Sequence, residues 1–161
     1  MKERYPDDLA QEKWVVDNKV LYLVQTGMGH WCGYVRFETR PVAETGYGGF
    51  MTYVPVHGGI TYAGQGEDGT MVYGFDCAHA GDEEDPKTWD MNWLRAETER
   101  MAIAIEAAVP FSKEYDAIQE GDNEARAEVI DRYHRELQDI DIRFDLQNNF
   151  GAMIRFLFGE L

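Results

Sequence analysis

Between Val56 and Asp82 the chain reads VHGGITYAGQGEDGTMVYGFDCAHAGD. The stretch holds His57, His79 and Cys77 together with Asp76 and Asp82. Three chemistries suit these residue types. Cys77 is a nucleophile if His57 acts as its base and Asp76 or Asp82 orients the imidazole. The acidic surroundings oppose that, because they raise a thiol pKa. His57, Asp76, His79 and Asp82 form a divalent-metal set in the second reading, since imidazole plus carboxylate suits zinc, manganese or iron. An open coordination position would then support hydrolysis. No spacing matches a defined metal signature such as HExxH.

The third reading is a pocket for a polar, nucleotide-like small molecule. Gly58 and Gly59 let the backbone approach a ligand, and free N–H groups cradle an anion. His57, Thr61, Tyr62, Tyr73, Asp76, Cys77, His79 and Asp82 supply hydrogen bonds and a stacking ring, and Arg36 and Arg40 supply positive charge. A purely structural reading stands beside these. Gly58-Gly59 makes a bulge, GEDG a turn, and Asp76 and Asp82 cap loops, while His57 and His79 satisfy buried carbonyls. His30, in GMGHWCG, joins the site only if its strand end lies beside the hairpin. His134 sits on a charged helix and reads as structural.

The elements that must position these residues change type along the chain. Lys19 to Thr26 and Trp31 to Phe37 are β-branched and aromatic, with Gly27 and Gly29 as turn residues between them, so a hairpin is expected. A short strand at Trp14 to Val16 precedes Asp17-Asn18. Met51 to Val56, Gly59 to Ala63 and Thr70 to Asp76 complete about five expected strands, within the usual range. Glu38 to Phe50 is loop-like. If Ile60–Ala63 pairs with Met71–Gly74, paired residue numbers sum to ~134, which sets His57 opposite Cys77. A bulge at Gly58-Gly59 would undo that register.

The second half is helical. Asp90 caps a helix from Met91, with Leu94, Met101, Ile105 and Ala108 on one stripe and a stop or kink at Pro110. A shorter helix is expected around Ser112 to Gln119, then a break at Gly121-Asp122. Val129, Ile130, Tyr133, Leu137 and Ile140 form the next stripe, and Glu128–Arg132 and Asp131–Arg135 are i,i+4 pairs on its wet face. Phe150 to Phe158 is apolar enough to dock on the core or to form a homo-oligomer interface. Strands first and helices later predict an α+β fold: a mostly antiparallel sheet from the N-terminal half, packed by helices from the C-terminal half. One domain is expected over 1–161, β-rich over 13–82 and α-rich over 90–161.

Composition narrows the function classes. The 161 residues are 44% hydrophobic and 13% aromatic, which suits a folded protein. The net charge is −15, with 6 basic and 10 acidic residues over 1–81 but 9 and 20 over 82–161. That field repels duplex nucleic acid and anionic lipid, and suits a basic protein partner of the acidic helical half. No apolar run reaches the ~20 residues of a membrane span, and MKERYPDDLA lacks a signal-peptide core. A soluble, cytoplasmic protein is expected. Two cysteines, Cys32 and Cys77, make no disulfide framework.

HWCGYVRF (30–37), VHGGITYAG (56–64), YGFDCAHAGD (73–82) and WLRAETERMA (93–102) together are similar to a widespread set of small uncharacterised proteins of bacteriophage, prophage and bacterial genomes. The resemblance covers about residues 30–105 and implies a phage-type accessory setting. Small proteins there often counter host defence by binding a host protein or by removing or sequestering a nucleotide signal. The function expected from the residues is binding of a small polar, nucleotide-like ligand around HGG and DCAHAGD, and a sequestering role fits the lack of a firm catalytic signature. A metal-dependent hydrolase and an acidic protein-interaction module are the alternatives.

Overall fold

The computed structural model describes residues 9–38, 49–65 and 69–148. Strands β1 (Glu12–Val16), β2 (Lys19–Gln25), β3 (Trp31–Phe37), β4 (Tyr62–Gln65) and β5 (Met71–Asp76) precede helices α1 (Met91–Ala117) and α2 (Asn123–Asn148). The sheet is antiparallel throughout, in the order β1-β2-β3-β5-β4. The fold is α+β, as the segregation of strands and helices along the chain predicts.

Local chemistry sets the turns. Asp17 and Asn18 both take positive φ, 47° and 65°, so the β1–β2 hairpin closes on two left-handed residues, the arrangement whose twist matches the strands. Such φ values suit Asp and Asn better than most side chains.

The pleat sorts side chains onto two faces. Leu21, Leu23, Val35, Phe37, Met71, Tyr73, Phe75 and Cys77 belong to the main core with Leu94, Met101, Ile105 and Ala108 of α1. Tyr22, Val24 and Val72 form a separate buried group on the other face, with Tyr34 and Tyr62 packed against it. Gly33 admits the helix: a Cβ there would lie 2.3 Å from Thr98 Oγ1 and 2.5 Å from the Phe75 ring.

Helix α1 starts where Asp90 accepts hydrogen bonds from the N–H groups of Asn92 and Trp93. Pro110 does not end it, and the short helix expected after it is the continuation of α1 to Ala117. Pro110 lies on the exposed side, where water reaches the carbonyl that its missing N–H leaves free. The apolar side continues past it: Phe111 packs on Tyr133, and Tyr115 on Phe50. In α2, Val129, Tyr133 and Leu137 are buried, and Tyr133 donates its hydroxyl proton to Ala104 O at 2.7 Å. The expected ion pairs Glu128–Arg132 (3.9 Å) and Asp131–Arg135 (3.4 Å) form. The Phe150–Phe158 segment and Arg40 lie outside the described residues.

Two strand expectations are corrected. Met51–Val56 is not a strand; Phe50–Tyr53 is a turn of 3-10 helix. Phe50, Met51 and Val54 are all buried, a spacing that fits one side of a helical turn and not strand alternation. Strand β4 begins at Tyr62, after Gly58 and Gly59 turn the chain with φ of 71° and 81°. Its register pairs Tyr62 with Gly74 and Ala63 with Tyr73, two residues away from the register that would oppose His57 and Cys77. Cys77 instead donates its N–H to Trp31 O, extending the β3–β5 ladder.

Candidate metal centre

Past the end of β5 the chain curls back on itself. Gly81, at φ 87°, lets Asp82 donate its N–H to His79 O at 3.0 Å. Asp82 opens a short 3-10 turn, and its carbonyl accepts the Thr88 hydroxyl proton at 2.7 Å. The Asp82 side chain is thereby held inward, with the residue only 5% exposed.

Two imidazoles meet this carboxylate. His57 Nε2 lies 2.8 Å from Asp82 Oδ1, and His79 Nδ1 lies 3.1 Å from Asp82 Oδ2. The backbone N–H of His79 donates to the same Oδ2 at 2.9 Å. Asp76 Oδ1 stands 3.5 Å from His79 Nδ1. Burial alone would raise the Asp82 pKa, but the His79 N–H and the two imidazoles outweigh it and hold the carboxyl below its ordinary value.

Helix α1 fixes the His57 side of the cluster. Glu97 Oε1 accepts the His57 N–H at 2.9 Å, and the Trp93 ring meets the His57 ring edge-on at 5.3 Å. Gly58 is required by close approach, since a Cβ there would lie 2.2 Å from His79 Cε1.

His57, His79 and Asp82 form a group that could hold a metal ion, each offering one ligand atom within 4.8 Å of the others. Ligand atoms at ~2.0–2.1 Å from a tetrahedral cation stand roughly 3.3 Å apart along each edge. The 2.8 and 3.1 Å approaches, made to different oxygens of Asp82, are shorter than that edge, and Asp76 Oδ1 stands 3.5 Å from His79 Nδ1. His57 and His79 share a carboxylate.

The other expected site residues are dispersed. Gly59 has open space where a Cβ would stand. Tyr73 is fully buried against the Phe37 ring on the helix face. Cys77 is 3% exposed, and burial first, then Asp82, Cys32, Asp76 and Glu97, push its thiol up to about 12. It is therefore a protonated packing residue without the thiolate a nucleophile needs. Arg36 pairs with Val72, four residues along β3 from Cys32, which pairs with Asp76. Thr61 and Asp76 line a cleft on the face away from the helices, and His30 is there too. His134 Nε2 meets Tyr53 O at 2.9 Å, a structural role. Glu97 and Trp93 were not among the expected site residues. Their signal is an i,i+4 pair beside the Leu94–Met101 stripe, visible only once that stripe is known to face the His57 loop.

Comparison with known protein families, with curated proteins and with solved structures gives no match. Among the described residues, no helix is long and apolar enough to cross a membrane.

Proposed function

We propose that the chain is a metal-dependent hydrolase whose divalent cation is held by His57, His79 and Asp82, with Asp76 as a further ligand or as a base for water. One observation carries the reading: two imidazoles share a single buried carboxylate at distances of 2.8 and 3.1 Å. A cation bound there replaces the protons on those nitrogens, so binding releases protons and strengthens with pH. When bound, it lowers the pKa of a coordinated water toward ~7. Asp82 supplies the buried negative charge, Glu97 and Trp93 orient His57, and the more exposed His79 faces the approach to solvent. A phage-type role in removing a small polar host molecule is consistent with this chemistry.

The test is calorimetric titration of EDTA-stripped protein with Zn²⁺ and Mn²⁺. One equivalent of one cation binds, and His79→Ala weakens it by roughly a hundredfold, the cost of losing one protein ligand or its support. Absence of stoichiometric binding, or equal affinity in the variant, would sink the reading.

A further inference from the structure

On the sheet face away from the helices, a cleft of about 460 Å³ opens at the His30 and Asp76 end of β3 and β5. That volume lies within the range of small-molecule sites. We propose that this cleft binds a small planar heterocycle that carries N–H donors and no phosphate, and presents it to the cation centre.

Two walls are aromatic. Tyr34 and Tyr62 line the cleft and meet edge-to-face at 5.6 Å, and Tyr34 is itself backed by Tyr22, stacked at 5.5 Å. Such rings give a flat ligand area to pack on at little conformational cost.

The polar groups define the ligand's edge. Asp76 contributes a carboxylate, which only accepts hydrogen bonds. His30 Nδ1 is buried and has no hydrogen-bond partner among the described residues. An unpaired buried nitrogen is costly, and a turn of the His30 ring toward the cleft would let a ligand group pair with it.

Charge excludes the phosphate. The described lining residues include Asp76 but neither lysine nor arginine, and the chain carries a net −15. As long as the cation centre is empty, an anionic group entering here meets a carboxylate and, among the described residues, no lysine or arginine. A ring with amino or ring N–H donors, as in a free nucleobase, meets an acceptor.

The cleft also reaches the centre described above. Asp76 and Ala78 line it, and Asp76 Oδ1 stands 3.5 Å from His79 Nδ1. That the bound heterocycle is a substrate rests on the metal reading; that it binds does not.

The experiment keeps the two apart. Protein in EDTA is titrated with adenine and cytosine, then with their nucleoside 5′-monophosphates, following backbone amide shifts by NMR. At least one free base should produce saturable shifts at Gly27, Thr61 and Ala78. The matching monophosphate should bind at least tenfold more weakly. Asp76→Asn, which keeps the oxygen that accepts the Ala78 N–H, should weaken the base at least tenfold. Ala78 is exposed, so Ala78→Leu obstructs the cleft without entering the core and should weaken it as well. The proposal is overturned if neither base gives saturable shifts there, if the monophosphate binds as tightly as its base, or if both variants bind like the parent. With EDTA present throughout, base binding without any Zn²⁺ binding in the separate titration counts against the metal reading alone. Zn²⁺ binding without base binding counts against the cleft alone.

Discussion

The two faces of the sheet use glycine for opposite purposes. On the helix face, Gly33 leaves room for Thr98 of α1 and for the Phe75 ring. On the other face, Gly74 leaves room for the Tyr34 ring, which would lie 2.4 Å from a Cβ at that position. The first neighbour belongs to a helix locked by burial, since Thr98 is fully buried and its hydroxyl donates to Leu94 O. The second is a half-buried side chain. A face packed against a buried helix is rigid, whereas one packed against half-buried rings leaves space for a ligand.

The largest expected effect follows from that contrast. Gly33→Ala forces the helix or Phe75 to move and should cost about 2–3 kcal/mol, the upper part of the range for overpacking. Its Tm should fall by roughly 4–10 °C on the scaling for a chain of this size. Gly74→Ala should cost about 1 kcal/mol, because Tyr34 is only half-buried. Calorimetric melts of the two variants check the comparison. Equal losses would mean that the ring face is as tightly packed as the helix face.

The cluster at the strand ends makes a second contrast, between a polar group that is fully paired and the apolar core around it. Asp82→Asn keeps the shape but replaces an acceptor oxygen by a donor against the His79 N–H. It should cost about 2 kcal/mol, the penalty for a mismatched buried hydrogen bond. The pH dependence has a definite sign. The Asp82 carboxyl is depressed in the folded state, so its contribution is complete above the unfolded value of ~4 and is lost as pH falls through the folded value. The Tm gap between parent and Asp82→Asn should therefore be constant from pH 7 to 5 and shrink below pH 4. A gap that widens with acid would show that the carboxylate is not the stabilised form.

Much of the fold was legible because the signals were local. Asp17-Asn18, the Asp90 cap and the Leu94–Ala108 stripe each determine their element through nearest neighbours. Pro110 and Met51–Val56 misled for one reason: tertiary packing of Phe50, Phe111 and Tyr115 overrides the local preference. The candidate ligands His57, His79 and Asp82 were legible as residue types as well. Their mutual geometry was not, because it depends on two long-range facts. One is the β4–β5 register, which differs by two residues from a symmetric hairpin. The other is the turn at Gly81, which brings Asp82 back beneath His79. Cys77 looked reactive beside them only because the pleat that points it into the core is not visible until the strand is placed.

The two thiols provide the finest form of the face comparison. Cys77 points into the helix-side core, while Cys32 lines the cleft on the ring side. Both are raised, Cys32 chiefly by burial and Cys77 chiefly by burial, up to about 12. A raised thiol stabilises the fold below its unfolded pKa of ~8.5 and loses that contribution as pH climbs through the folded value. The stability of the fold should therefore decline from about pH 9 upward. Native iodoacetamide labelling at pH 8.5, mapped by peptide mass spectrometry, should modify Cys32 at least tenfold faster than Cys77, because Cys32 lines the cleft whereas Cys77 sits in the helix-side core. Cys77 should react only on the timescale of unfolding, since a buried protonated thiol supplies no nucleophile. If Cys77 labels first, the helix face opens more readily than the ring face, and the rigidity assigned to Gly33 and Thr98 is wrong.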